Sequence, residues 1–440
     1  MARRALWLVV WCASISPAGC ASKADAPPQV ARTTITFVGW GMPEERAIMR
    51  SALAAFERIH PEIHVEYTQV PGVGYDYLNK LRLMIVAKRA PDVFYVPDGA
   101  FGEMVSQGVL RDIDGLVQES RTLDVADIWP TALDRYRWNG RVLHEGSLYA
   151  LPKDIGPTVL YYNKDALRRR GVPAPDPEVP MTWDQAIAAF RALTYREGYV
   201  QHWGITGYPY ESAVWSAGGE IVDAEKRRWL MDSDVSMDAV QWCADLALRH
   251  HVAPNLARSG GAGQSELFEA GLVAMHIDGR WMVPRYRRMR FDWDVAPVPV
   301  PKPGMTSVSW SGSVGLAVSA ASRRIAEAFT LVEYLAGPEG QRELARSGLQ
   351  VPNQRSVAAT AAFLQPGQRP AHAGVFLRAA ETSRPSPETE LPNAFWHEVF
   401  SSFLPQVWRG ERRARELLPA LAPIVEQTMR ENNPGPEAAR

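Results

Sequence analysis

Cysteine is scarce in this chain of 440 residues, which contains three. Cys12 and Cys20 fall within the first 20 residues, so Cys243 stands alone in the rest of the chain and cannot form a disulfide there. Cys243 lies in "VQWCADLAL", an apolar pattern with helical spacing. We therefore expect it to be a buried packing residue and not a nucleophile.

Metal-ligand and catalytic motifs are also missing from the sequence. The nine histidines are scattered, and the adjacent His250 and His251 cannot both face one metal ion from a helix. The H-E-x-x-H, P-loop and G-x-S-x-G patterns do not occur. The sequence thus predicts no metal site and no cofactor.

Neither sign of charge is in excess. The formal net charge is −1 and charged residues make up 22% of the chain, which leaves no basic surplus to hold a phosphate backbone and excludes nucleic acid as an expected partner. The length exceeds what one hydrophobic core usually serves and favours two lobes.

No apolar run at the N-terminus is long enough to be a permanent membrane helix. The basic "MARR", the apolar "ALWLVVWCA" and the small-residue "SPAGC" together predict an export signal over residues 1–19. The end of this segment resembles a bacterial lipobox, in which Cys20 would carry lipid and residues 20–32 would form a flexible tether. Pro17 departs from the usual lipobox leucine, so simple cleavage and release is the alternative, beside a chance apolar start. We expect an exported protein, periplasmic or at the cell surface.

The body of the chain alternates strand and helix patterns. "TTITFVGWG", "IHVEYTQV" and "PDVFYVPDG" are typical of strands, and the helical patterns "EERAIMRSALAAFERIH" and "YDYLNKLRLMIVAKR" separate them. This order predicts an α/β fold with a mostly parallel, doubly covered sheet. Ligands of such sheets bind at the carboxyl ends of strands, which points to Trp40 and Asp98.

Tryptophan is abundant, with 15 residues. Tryptophan is normally among the rarest residues, and each one brings a broad aromatic face. We therefore expect the excess to serve a function.

Several segments together resemble a known family, and they occur in order from about residue 33 to the C-terminus. They are "AFERIHPEIHVEY", "KLRLMIVAKRAPDVFYVPDG", "YALPKDIGPTVLYYNKDALRRRGVPAP", "TWDQAIAAFRAL", "FEAGLVAMHIDGRW" and "EAFTLVEYLAGPEGQRELA". The family is that of the solute-binding proteins of ATP-driven importers, in the branch similar to maltose-binding protein.

The resemblance implies a two-lobed, type II periplasmic-binding-protein-like fold with the ligand cleft at the hinge, each lobe a mixed sheet flanked by helices. Lobe 1 would comprise residues 33–156 and 299–338, and lobe 2 residues 157–298 and 339–440. It also implies a monomer that delivers a carbohydrate to the permease subunits of an ABC transporter, which a cytoplasmic ATPase drives.

By the same resemblance, tryptophans supply the stacking surfaces of the cleft. Trp281 in "GRW" and Trp396 in "AFW" match family positions that stack on sugar, with core packing and an amphipathic helix stripe as the respective alternatives. Trp310, between serines, and Trp40 are further candidates; an exposed loop position is the alternative for Trp40. Arg280 would either contact the ligand or be solvated or ion-paired.

The remaining candidates come from a loop, from a strand end (Asp98) and from a crossover between the lobes (Asp154). Tyr208, Tyr210 and Trp215 precede a Gly-Gly pair where the second lobe of the family contacts its ligand, and structural packing is the alternative for each. Asp98 and Asp154 fall where the family carries ligand carboxylates, although Asp98 also suits a turn before glycine.

Two other functions are compatible with an exported, tryptophan-rich chain. A glycoside hydrolase would need two carboxylates beside the scissile bond, for which Asp98, Asp154 and Glu211 are available, but the resemblance is to proteins that bind without cleaving. A binding protein that reports its ligand to a membrane sensor would use the same fold. We therefore expect no enzyme.

Overall fold

The computed structural model describes residues 32–71, 75–141, 143–224, 226–255, 263–387 and 399–432. The strands are β1 (Thr33–Gly41), β2 (Ile63–Pro71), β3 (Val93–Pro97), β4 (Arg137–Trp138), β5 (Ser147–Leu148), β6 (Leu151–Pro152), β7 (Asp154–Asn163), β8 (Tyr195–Glu197), β9 (Val200–Thr206), β10 (Val273–Gly279), β11 (Trp293–Ala296), β12 (Ser311–Gly312), β13 (Val314–Val318) and β14 (Val351–Pro352).

The helices are α1 (Pro43–Ile59), α2 (Tyr75–Val86), α3 (Asp98–Ser106), α4 (Asp114–Glu119), α5 (Pro130–Leu133), α6 (Lys164–Arg170), α7 (Trp183–Leu193), α8 (Tyr210–Ser216), α9 (Asp234–Leu248), α10 (Gln264–Glu269), α11 (Val283–Tyr286), α12 (Ile325–Ala336), α13 (Pro338–Arg346), α14 (Arg355–Ala358), α15 (Ala361–Leu364), α16 (Gly374–Thr382), α17 (Leu404–Trp408) and α18 (Ala414–Asn432). Short 3-10 turns occur at Val125–Asp127, Asp134–Tyr136 and Arg280–Met282, and a π turn at Val399–Phe403.

The first sheet has the strand order β2-β1-β3-β13-β6. Strand β1 is parallel to β2 and β3, whereas β13 is antiparallel to β3 and β6. The alternation predicted for the first hundred residues is confirmed as β1, α1, β2, α2 and β3. Because β1 and β3 are parallel, their carboxyl ends lie at the same edge of this sheet. Trp40 and Asp98 therefore both lie at that edge.

Helix α1 shows why the local pattern predicts the fold well. Met49, Leu53 and Phe56 recur at helical spacing and are buried against the first sheet. Pro43 lies in the first turn, where its missing N–H costs nothing, and Pro61 follows the end of the helix.

The second sheet has the order β11-β7-β10-β9-β8, and β12 and β14 also pair with β7. All ten residues of β7 are buried. Val159 and Tyr161 pack into one hydrophobic cluster, whereas Leu160 and Tyr162 pack into another. Since successive side chains of a strand face opposite sides, both faces of β7 are covered, which explains its continuous apolar run.

Three chain segments run side by side where the chain passes from one sheet to the other. Gly156 and Pro157 of β7 pair with Gly312 and Ser311 of β12, and Ile155 pairs with Val351 of β14. Strand β6 of the first sheet ends one residue before β7, and β13 begins one residue after β12. We call residues 154–157, 311–312 and 351–352 the crossover.

The first sheet and the helices around it form a separate hydrophobic cluster, with buried members from residues 35–151 and 316–344. The faces of the second sheet and its helices form three further clusters. Among the described residues, no helix combines the length and the apolar character needed to cross a bilayer.

Candidate ligand-binding site

Trp281 is the second residue after the end of β10 and lies in the 3-10 turn Arg280–Met282. Its side chain is 37% exposed, although most of the large apolar residues around it are buried. A Cβ atom placed on Gly279 would lie 2.0 Å from the indole ring, and one on Gly156 would lie 2.9 Å away. Glycine at both positions therefore makes room for the ring beside the crossover.

Trp310 stands edge-on to Trp281, with ring centroids 6.3 Å apart and an interplanar angle of 83°. Its backbone N–H donates to Ser212 Oγ at 2.8 Å, and its carbonyl accepts from the Thr158 N–H at 3.0 Å. These bonds fix Trp310 between helix α8 and strand β7, and its half-buried ring packs against the hydrophobic cluster that includes helices α8, α9 and α18. Two perpendicular indoles can offer their faces to different C–H surfaces of a sugar.

Arg280 is 1% exposed and lies in the core behind Trp281. Its guanidinium stacks over Phe363 at 4.1 Å and over Phe376 at 5.3 Å, and Nη2 donates to the Phe363 carbonyl at 3.0 Å. Burial lowers the pKa of Arg280 to about 9. The prediction of ligand contact disagrees with this burial, and so does the alternative that Arg280 is solvated, because the flanking turn directs the side chain into the core.

Asp98 begins helix α3 at the edge of the first sheet, as predicted. Its carboxylate lies 2.7 Å from Arg135 Nη1 and accepts from the Ser313 N–H at 3.1 Å. Arg135 itself is buried and also donates to the Ser311 carbonyl and hydroxyl. Burial raises the pKa of Asp98, while the Arg135 charge opposes that rise. Ligand contact by Asp98 stays a prediction. The sequence analysis did not indicate that Arg135 connects Asp98 to the crossover.

Asp154 is buried at the start of β7 and pairs with Lys153. Its other oxygen accepts from the Val314 N–H at 3.1 Å, and Lys153 Nζ also donates to Gln350 Oε1 at 3.0 Å. The carboxylate thus ties the crossover to strand β13. This burial and pairing disagree with the prediction that Asp154 contacts the ligand.

Tyr208 and Tyr210 follow the carboxyl end of β9 and line a cavity of about 430 Å³. The Tyr208 hydroxyl donates to the Pro299 carbonyl at 2.6 Å, and its ring meets Trp242 edge-on at 4.9 Å. The cavity wall also includes Thr206, Gly207, Cys243, Asn255, Gln264 and Trp408. Tyr210 and Ser212, whose Oγ accepts from the Trp310 N–H, both lie in helix α8. Ligand contact by either tyrosine stays a prediction.

Trp215 does not reach the surface. It is 6% exposed in a cluster with helices α8 and α9, and the Arg384 guanidinium lies 4.9 Å over its ring. The packing alternative therefore agrees with the structure, and the ligand-contact prediction does not.

Cys243, expected to be a buried packing residue, is half-buried and lines the cavity. Burial raises the pKa of its thiol.

Trp40 is the penultimate residue of β1 and is half-buried beside two tyrosines. Its ring meets Tyr77 edge-on at 4.8 Å and Tyr95 edge-on at 5.1 Å. The ring therefore packs on the first sheet, and ligand contact through its remaining surface stays a prediction. Trp396 and Cys20, the other two predicted positions, lie outside the described residues.

Glu45 is a charged residue near the site that the sequence reasoning missed. It lies in the first turn of α1, after Trp40, and one oxygen accepts from the Met42 N–H at 3.3 Å. Burial raises the pKa of Glu45, the Lys153 charge opposes this rise, and the Asp154 charge adds to it. An acidic residue just beyond the carboxyl end of a parallel strand was the signal that could have indicated it.

We expect Glu45→Gln to raise the melting temperature at pH 7. The raised pKa means that the folded state prefers the protonated acid, so the stability this group contributes is present below its unfolded pKa and is lost as pH rises through the folded value. Glutamine keeps the acceptor and carries no charge. Thermal unfolding measured at pH 7 and below about pH 4 should therefore show a higher melting temperature for Glu45→Gln than for the wild type at pH 7, and equal melting temperatures in acid.

The matched control is Glu66→Gln, because Glu66 is exposed on β2. A rise in the melting temperature of Glu45→Gln that is equally large at both pH values, or a fall at pH 7, would contradict the claim that burial destabilises the charged Glu45 carboxylate.

The arrangement offers aromatic surfaces and hydrogen-bonding groups. In the part of the chain that the structure describes, no three His, Cys, Asp or Glu side chains are grouped to hold a metal ion.

Two sheets joined by a three-segment crossover, with an exposed indole beside it, define a two-lobed binding protein. A family model described as bacterial extracellular solute-binding protein matches residues 39–342, more than half of the chain. The chain belongs to this family.

Known proteins with similar sequences cover almost the whole chain. A galactooligosaccharide-binding protein from Bacillus subtilis is 23% identical over 435 residues, which is 96% of both chains. A maltooligosaccharide ABC transporter solute-binding lipoprotein from Streptococcus pneumoniae is 20% identical over 428 residues, or 95% of both.

Solved structures show the same fold. An ABC substrate-binding protein from Listeria monocytogenes in complex with cycloalternan superposes with a TM-score of 0.77 at 21% identity, covering 91% of this chain and 98% of that chain. The expected two-lobed, type II periplasmic-binding-protein-like α/β fold is thus confirmed.

Proposed function

We propose that this protein captures an uncharged di- or oligosaccharide beside the crossover and delivers it to the membrane permease of an ABC transporter. The observation that carries the proposal is the pair of perpendicular indoles, Trp281 and Trp310, of which Trp281 is 37% exposed. An exposed aromatic face in a fold of this family suits the C–H surface of a sugar ring. The printed names of both sequence relatives state that they bind oligosaccharides.

The charge arrangement favours an uncharged ligand over a glycerophosphodiester. Among the described residues, Arg135 and Lys153 lie at the crossover, and each already has a carboxylate partner, Asp98 and Asp154 respectively. Arg384, whose carbonyl accepts from the Ser311 N–H, likewise pairs with Glu220. A phosphodiester would need a cation to replace its hydration. A sugar hydroxyl needs only donors and acceptors of hydrogen bonds.

Capture would proceed by closure about the crossover. Lobe 1 comprises residues 33–156 and 299–338, and lobe 2 comprises residues 157–298 and 339–440. Ligand that contacts both lobes stabilises the closed form relative to the open form, and the closed form docks on the permease. Hydrolysis of ATP by a separate cytoplasmic ATPase supplies the energy of import.

The same proposal places the protein outside the cytoplasm as a monomer without catalytic activity. Residues 1–19 form the export signal, and Cys20 carries a lipid anchor with residues 20–32 as its tether. The word lipoprotein in the name of the pneumococcal relative supports the anchor, and the names of both relatives describe binding and not hydrolysis.

A thermal-shift screen of the mature chain tests the proposal. The screen compares uncharged di- and oligosaccharides with monosaccharides and glycerophosphodiesters at equal concentrations. We expect at least one uncharged oligosaccharide to raise the melting temperature, because a ligand that binds only the folded state stabilises it by mass action. Stabilisation by a phosphodiester alone, or by no sugar in a broad library, would contradict the proposal.

A further inference from the structure

We infer that Arg280 is a positioning residue that holds Trp281 at the surface beside the crossover. The inference deepens the proposed function, because Trp281 is the stacking surface on which that function rests. Arg280 does not itself reach this surface, since it is 1% exposed. Its effect on a ligand would pass entirely through the neighbouring indole.

Arg280 anchors its turn to chain segments that are remote in sequence. Nη2 donates to the carbonyl of Phe363 in helix α15, and the guanidinium lies 4.1 Å over the same residue's ring. The guanidinium also lies 5.3 Å from the ring centroid of Phe376 in helix α16. A planar cation that contacts two aromatic rings and is bonded to a carbonyl has few orientations available.

The backbone transmits this anchoring to Trp281. Arg280 and Trp281 are successive residues of one 3-10 turn, in which side chains project about 120° apart. The residue before the turn is also fixed, because the Tyr161 hydroxyl donates to the Gly279 carbonyl at 2.7 Å. The indole then lies over Gly279 and Gly156, where the glycines leave it room.

Burial of Arg280 is a cost to stability and not a source of it. Among the described residues, Nε and Nη1 are buried and make no hydrogen bond, and no carboxylate pairs with the guanidinium. Burial of a cation without a counter-charge is unfavourable, and an apolar side chain of similar length often stabilises such a site. Positioning of the turn accounts for a charged residue here better than folding stability does.

The test uses Arg280→Met, which keeps the length of the side chain and removes the charge and the hydrogen bond. The mature protein is labelled with 5-fluorotryptophan, and the fluorine resonance of Trp281 is assigned from its loss in Trp281→Phe. We expect Arg280→Met to shift and broaden this resonance while the resonance of the distant Trp138, assigned from Trp138→Phe, stays in place. The melting temperature should stay equal to that of the wild type or rise.

The matched control is Arg285→Met, because Arg285 lies in the following helix and pairs at the surface with Glu266 and Glu269. This control should leave the Trp281 resonance unmoved. An unmoved Trp281 resonance in Arg280→Met would overturn the inference, and so would a fall in melting temperature with shifts of both tryptophan resonances. The experiment needs no sugar, so its failure is distinguishable from failure of the proposed function.

Discussion

Trp281→Ala is expected to weaken sugar binding by about 2 kcal/mol or more, which is about 30-fold, because a large aromatic contact at the centre of a site carries much of the binding energy. The protein should stay folded, since the side chain is 37% exposed and fills no core position. The change also removes the edge-on partner of Trp310. Titration calorimetry with the sugar that most stabilises the wild type measures the loss directly.

The control for this variant is Tyr199→Ala, which removes an aromatic ring that is 97% exposed at the tip of the β8–β9 hairpin. Its affinity should equal that of the wild type. Wild-type affinity in a folded Trp281→Ala protein would exclude the stacking role.

Arg135→Ala is expected to destabilise the protein by about 3 kcal/mol, because it leaves the partly buried Asp98 carboxylate without its charge partner. It also removes the two hydrogen bonds from Arg135 to Ser311 in the crossover. We expect a fall of several degrees in the melting temperature. Scanning calorimetry or circular dichroism at pH 7 measures it.

Arg415→Ala is the matched control, since Arg415 pairs with Asp234 and Asp238 at the surface and is 52% exposed. Surface pairs contribute about 1 kcal/mol or less, so this variant should melt close to the wild type. Adding Asp98→Asn to Arg135→Ala should recover part of the loss, because no unpaired carboxylate remains. Equal melting temperatures for Arg135→Ala and Arg415→Ala would contradict the role assigned to the buried pair.

The local sequence pattern predicted the strands and helices of the first hundred residues and the sheet edge at which the carboxyl ends of β1 and β3 lie. The alternating strands and helices from Thr33 to Asp98 appear as predicted. These elements depend on side chains within a few residues of one another, where the hydrophobic period acts.

Whether an individual polar or aromatic side chain is buried or exposed depends on partners that are distant in sequence. Arg280 is buried by Phe363, and Trp215 is covered by Arg384, in both cases a residue more than 80 positions away. Hydrophobic period places a residue on a face but does not show what covers that face. For this reason the sequence alone left both residues as ligand candidates.

Small-angle X-ray scattering of the mature chain, with and without the most stabilising sugar, tests the central claim most directly. Capture between two lobes that close about the crossover predicts a smaller radius of gyration when the sugar is saturating, with no change in mass. Trp281→Ala at the same sugar concentration should contract less, because less ligand is bound. A radius of gyration that is unchanged while calorimetry shows the sugar bound would contradict capture by closure.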